Sequence, residues 1–123
     1  FLEEKTGVDP EMLPRTRSRS RVLGKDLFLE QEQVFAWPDK KAAETGAQFC
    51  FGLRDQLGVL SDGTVVPCCL DHEGDVPLGN LFETSLTEIL ASPRARALYD
   101  GFSRRAPVEE LCRRCGFATR FNR

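Results

Sequence analysis

Residues 56–69 read QLGVLSDGTVVPCC, and the fold turns on them. Two short apolar runs, Gln56 to Ser61 and Thr64 to Cys69, flank Asp62-Gly63. A tight turn between strands needs positive φ, which glycine adopts without a Cβ clash, so Asp-Gly here predicts a β-hairpin. Pro67 has no N–H to give a ladder, so pairing stops there or the strand is an edge. Cys68 follows at once, and Cys50 lies just before the first strand. A hairpin brings its outer ends together, so Cys50 and Cys68 can meet.

Downstream, Asp71 to Asn80 is rich in Gly, Pro, Asp and Asn and reads as a loop. Ser85-Leu86-Thr87-Glu88 is a capping box that starts a helix with Leu86, Ile89 and Leu90 facing inward. Ser92-Pro93 reads as a second start, with proline at the first helical position. Ala95, Leu98, Tyr99 and Phe102 supply that helix's apolar face, and Gly101 can close it. Val108 to Leu111 is a short turn delivering Cys112-Arg113-Arg114-Cys115-Gly116. Two residues between cysteines let both sulfurs face one ion or cluster while backbone N–H groups point at them. A redox motif of the same spacing belongs with a βαβ pattern, which this sequence does not show.

Upstream, residues 1–26 carry few periodic apolar positions and include the alternating arginines Arg15, Arg17, Arg19 and Arg21, which read as loop or linker. Residues 27–37 (LFLEQEQVFAW) fit a strand or a helix, with a lean to strand, and Pro38 ends them. Asp39 to Glu44 fits one helical turn stopped by Gly46. The fold class is therefore α+β: a small metal-centred domain, a β-hairpin followed by one or two short helices, with an extended or loop-rich N-terminal segment. The division expected is 1–48 as linker or remnant of a preceding domain and 49–123 as the metal-centred domain.

A chain of 123 residues is one domain, or one domain plus a fragment of a neighbour. It opens on Phe1 and so reads as a piece of something longer, or as a processed chain. No apolar run approaches the ~20 residues of a membrane span, and no signal peptide pattern is present, so a cytoplasmic, non-membrane protein is expected. The net charge of −2 hides eight arginines between Arg94 and Arg123. Aromatic-plus-basic modules that read bases are not visible, so these arginines read as a solvated helix face and nucleic acid is not an expected partner. Five cysteines is an odd number in a sequence without secretory context, which favours metal over disulfides.

Four thiols brought together from two loops suit zinc or an iron–sulfur core. Either leaves a net charge of about −2 that Arg113, Arg114 and Arg120 can partly offset; solvated surface explains the same arginines equally well. Cys69 points to the opposite face if the strand continues past Cys68, and reads as a spectator. His72, the one histidine, reads as a surface loop residue because no nucleophile with a helper accompanies it. Asp71, Glu73 and Asp75 alternate but lack the glycine and glutamate placement of a calcium loop, and read as a solvated turn. Gly74 and Gly79 are followed by no Gly-Lys-Ser/Thr and make no phosphate loop. Phe35 and Trp37 read as packing against a neighbouring domain.

Cys50-x12-Gly63-x4-Cys68, then Gly79-Asn80-Leu81 and a short helix, then Cys112-x2-Cys115, resembles the SPASM/Twitch region of radical S-adenosylmethionine (radical SAM) enzymes. The stretch DGTVVPCCLDHEGDVPLGNL is especially similar. The resemblance covers residues 49–121. It implies an auxiliary [4Fe–4S] cluster domain beside a partial (β/α) barrel, with Cys50, Cys68, Cys112 and Cys115 as the four ligands. The longer SPASM pattern continues with further cysteines, the first six residues after the knuckle, where this chain has Phe121. A single cluster is therefore implied, as in the Twitch arrangement. The Cys-x3-Cys-x2-Cys motif that holds the S-adenosylmethionine-cleaving cluster is absent, so this chain should be inactive alone. S-adenosylmethionine and a second [4Fe–4S] cluster belong to the full-length enzyme. The implied partners are the radical SAM barrel and a peptide or small-molecule substrate, with the domain positioning substrate or passing electrons. The reading from another class is a structural zinc module for protein–protein contact, and zinc can occupy the same thiolates in a purified fragment.

Overall fold

The computed structural model describes residues 20–31 and 34–123, and the chain divides after Val34 into two units. In the first, β1 (Ser20–Gly24) and β2 (Leu27–Glu30) form an antiparallel hairpin with Val22 opposite Phe28. Asp26 makes its turn at φ 62°, a left-handed conformation that a short polar side chain tolerates. Part of the expected linker is thus a strand, because Lys25-Asp26 supplies a turn between two runs that can pair. Of the strand expected over 27–37, the first four residues form β2, while 31 and 34–37 are not strand and 32–33 lie outside the described residues. The arginines Arg15, Arg17 and Arg19 lie outside the described residues.

The second unit is built on the hairpin expected around Asp62-Gly63. β3 (Gly58–Val59) and β4 (Thr64–Val66) are antiparallel, with Val59 opposite Val65. The turn closes through Gly63 N–H to Leu60 O (2.9 Å), and Gly63 takes φ 88°, where a side chain would be strained. Asp62 Oδ1 accepts the Thr64 N–H at 3.0 Å, and that bond holds the Asp62 carboxyl below its ordinary range. β4 stops at Pro67, as a residue without an N–H requires.

A third strand was not legible. β5 (Gly79–Asn80) pairs antiparallel with β4 inside the stretch read as a loop, giving the order β3-β4-β5. Asn80 fixes it through side-chain bonds: Nδ2 donates to Asp62 O (2.9 Å) and Oδ1 accepts from Phe82 N–H (2.8 Å).

Two helices follow as the caps dictate. α1 (Leu86–Leu90) starts at Ser85, whose hydroxyl accepts the Glu88 N–H, and α2 (Pro93–Ser103) starts at Ser92, whose hydroxyl accepts the Ala95 N–H. On α1 only Ile89 is buried; Leu86 is exposed. On α2, Ala95, Leu98 and Phe102 are buried, and they join Val65, Val76, Leu78, Ile89 and Leu111 in one core. Tyr99 sits half-exposed beneath the Arg54 guanidinium instead. Gly101 does not close α2. It is buried within it, and the left-handed residue past the helix end is Arg105 at φ 57°, followed by Ala106 N–H donating to Gly101 O at 2.8 Å. The chain ends on α3 (Glu110–Arg113) and a 3-10 helix at Ala118–Phe121. The helical turn expected at Asp39–Glu44 is not formed; a single turn there closes through Ala42 N–H to Asp39 O.

Candidate metal centre

Cys50 and Cys68 are set by the sheet. Gly52 bridges to Gln56, and Leu53 N–H donates to Gln56 O (2.8 Å) and Pro67 O (3.3 Å), which lays the Cys50 segment beside the end of β4. Leu53 holds φ 63° to do so, a conformation costing a leucine about 1 kcal/mol. Cys112 and Cys115 are set by α3. Leu111 buries its side chain in the core, Cys112 takes the next position, and Cys115 N–H donates to Cys112 O at 3.3 Å.

The two pairs face one cavity of about 110 Å³, lined by Cys50, Cys68, Cys112 and Cys115 together with Pro38, Leu70, Phe102, Leu111, Phe117 and Ala118. Gln56, Pro67, Cys69 and Asp71 complete its wall. All five cysteines are free thiols; Cys115 is buried, and Cys50, Cys68 and Cys112 are half-buried. Burial pushes the Cys68 thiol up to about 11 and raises Cys50 and Cys112 as well, because a thiolate loses its hydration there. Neighbouring thiols add to the rise: Cys50 and Cys115 on Cys68, and Cys68, Cys50 and Cys115 on Cys112. The quartet is thus close enough to interact electrostatically. Backbone N–H groups pull the other way, those of Gly52 and Phe51 at Cys50 and those of Leu70 and Asp71 at Cys68. Among the described residues, no three His, Cys, Asp or Glu side chains form a group that could hold a metal ion.

The remaining candidates fall into place around this cavity. Cys69 is exposed, although it borders the cavity. Asp71 is not part of a solvated turn: it is 2% exposed, and its two oxygens accept the N–H groups of Asp75 (2.7 Å) and Val76 (2.8 Å). Asp75 in turn pairs with Lys40 at 3.0 Å and raises its pKa. The alternation of acids hid these roles, since only the backbone path shows which carboxylate turns inward. His72 is exposed, with its ring edge-on to Trp37. Phe35 packs on Phe117 at 4.9 Å, within its own unit. Arg113 reaches Glu44 (3.3 Å), Arg114 reaches Glu110 (3.1 Å) and Ala42 O, and Arg120 lies 3.7 Å over the Phe117 ring. These arginines are therefore engaged with carboxylates, backbone and an aromatic ring. The segment around Ala36 to Gln48, which touches the knuckle at Ala36, Ala42, Glu44, Thr45 and Ala47, carried no motif that marked it in the sequence.

No curated protein and no solved structure matches the chain. The model of the SPASM family, an iron–sulfur cluster-binding domain, matches residues 50–116, and both cysteine pairs fall inside that span. Because the match takes in just over half of the 123 residues, the chain belongs to the SPASM iron–sulfur cluster-binding family.

Proposed function

We propose that this chain is an auxiliary iron–sulfur domain of a radical SAM enzyme, holding one [4Fe–4S] cluster through Cys50, Cys68, Cys112 and Cys115. The observation that carries the reading is that these four thiols, from two distant parts of the chain, line a single cavity whose other walls are mostly apolar. The donor set fits, since soft thiolates are what iron–sulfur cores take. Zinc would take the same four thiolates, drawn to about 2.3 Å from one ion, and is the second reading.

When bound, such a cluster supplies one-electron chemistry. The chain's own residues set its conditions. Phe102, Leu111, Phe117 and Ala118 limit water around the sulfurs. The N–H groups of Phe51, Gly52, Leu70 and Asp71 favour negative charge on Cys50 and Cys68 and so raise the potential. Four protein ligands leave no place for substrate on iron, so the role is electron transfer or support beside a peptide or small-molecule substrate. The catalytic Cys-x3-Cys-x2-Cys, S-adenosylmethionine and its cluster would lie on a partnering barrel, and the setting is a reducing cytoplasm, consistent with five unpaired thiols. The cluster domain would be residues 49–123, inside the compact unit that begins at Phe35.

Anaerobic reconstitution with iron and sulfide tests this. The full chain should take up about four irons and four sulfides, with a broad visible absorption that dithionite bleaches. A colourless protein holding stoichiometric zinc, and refusing iron and sulfide, overturns it.

A further inference from the structure

We infer that residues 36–48, upstream of the matched region, are a working part of the metal centre, with Thr45 as the positioning residue of the Cys112–Cys115 knuckle. The inference rests on the cluster reading above and adds a residue to it.

α3 is a single turn of four residues, too short to hold its own geometry, and its last carbonyls have no partner within the helix. Thr45 supplies partners from nearly seventy positions away. Its N–H donates to Arg113 O at 2.9 Å, and its hydroxyl donates to Cys115 O at 2.8 Å, with Arg113 O farther off at 3.2 Å. One hydroxyl carries one proton, so the shorter contact is the bond it serves. Fixing the Cys115 carbonyl fixes that peptide plane, and with it the direction in which Cys115 presents its sulfur.

Neighbouring contacts hold Thr45 in place. Gly116 N–H donates to Ala36 O at 3.2 Å, and the backbones approach so closely that a Cβ on Gly116 would lie 2.7 Å from that oxygen. Asn122 accepts from Gln48 N–H at 2.9 Å and donates to Gly46 O at 3.0 Å. Ala47 is buried with Cys115 and Ala118. The strap therefore binds the knuckle at both ends, while the hairpin pair of cysteines relies on the sheet.

The test is Thr45→Val in the full chain, reconstituted anaerobically and challenged with an iron chelator. Valine keeps the shape and the backbone N–H, so only the bond to Cys115 O is removed. Loss of partners that orient metal ligands lowers retention by about tenfold or more, so cluster loss should be about tenfold faster, with Thr45→Ser close to wild type. Asn122→Ala is the companion variant: it removes two bonds to Gly46 and Gln48 that hold Thr45 in place but leaves the Thr45 hydroxyl intact, so its cluster loss should fall between wild type and Thr45→Val. Wild-type retention by Thr45→Val, or faster loss from Asn122→Ala than from Thr45→Val, overturns the assignment. If Thr45→Val does not fold, Gly116→Ala probes the strap's other contact with the knuckle, by steric displacement of Ala36; rapid cluster loss supports the inference and wild-type retention overturns it. Failure of the wild type itself to load a cluster would defeat the underlying reading instead, and is seen before any variant is made.

Discussion

Asp71 offers the sharpest test of how the cavity wall is held. Its carboxylate is buried and accepts two backbone N–H groups, from Asp75 and from the fully buried Val76. Hydrogen bonds to a charged group contribute roughly 1.5–3 kcal/mol each, and a buried donor left without a partner costs about 1–3 kcal/mol. Asp71→Ala removes both acceptors, so a loss of about 3–4 kcal/mol is expected. Asp71→Asn keeps the volume and one acceptor, but turns an NH2 toward the other N–H, donor against donor. A loss of about 2 kcal/mol follows. Urea unfolding of the reduced, metal-free chain, followed by far-ultraviolet circular dichroism, measures both. With a slope of about 1 kcal/mol per molar, the asparagine variant should unfold near 2 M less urea than wild type. The same variant should bind a cluster less firmly, because the loop carries the Leu70 and Asp71 N–H groups to Cys68. An asparagine variant within about 0.5 kcal/mol of wild type would refute the reasoning, since surface substitutions commonly fall in that range.

Cys112→Ser should abolish stable cluster binding, read as iron and sulfide per chain, whereas Cys69→Ser should leave loading unchanged; equal losses would count against the ligand choice. In the metal-free chain, iodoacetamide at pH 8 should label exposed Cys69 well before Cys68, whose thiol at about 11 leaves it roughly a hundredfold less thiolate than an ordinary 9.0 would; mass spectrometry of the first adduct decides. The same shift sets a pH dependence: the folded state keeps the Cys68 proton that the unfolded chain releases, so metal-free stability is intact below pH 9 and falls as pH rises to about 11. Discounted for partial solvent screening, that fall is about 1 kcal/mol, and a flat urea midpoint across the window contradicts it. Arg105→Gly should raise stability by about 0.5 kcal/mol, the relief of a left-handed arginine less its contact with the Phe49 ring; a clear loss in the urea midpoint would show the ring contact dominates.

What the sequence made legible was local. Asp62-Gly63 specifies its turn within four residues, and Ser85 and Ser92 specify helix starts within three, so strand and helix positions followed from neighbours alone. The cysteine spacing carried the family. What escaped were pairings decided at a distance. β5 is only two residues long, and it is a strand because β4 offers an open edge, not because Gly79-Asn80 favours one. The end of α2 escaped for a related reason: Gly101 has the right type, yet burial against Val108 keeps it helical and Arg105 takes the strained role. Asp71 and Thr45 are ordinary polar residues whose work depends on backbone groups brought to them by folding.

The two halves of the thiol quartet differ in how firmly they are held, and this bears on how metal binding and folding are linked. Cys68 continues from β4, whose Val65 and Val66 are fully buried, so its half of the cavity is tied to the main core. In the other half Leu111 belongs to the main core and Cys112 packs on it, but Cys115 lies past the one-turn helix and belongs to the smaller cluster with Ala47 and Ala118. Burial makes thiolates unfavourable in both halves unless a cation compensates them. Binding must therefore draw protons off buried thiols, and its free energy is realised as added stability of whatever those thiols tie together. Since the sheet half is already secured by its core, most of that added stability should accrue to the knuckle and its strap. On this argument the hairpin half and Cys112 act as the fixed side of the cage, and the Cys115 end of the knuckle, with its strap, is the side whose order depends on occupancy.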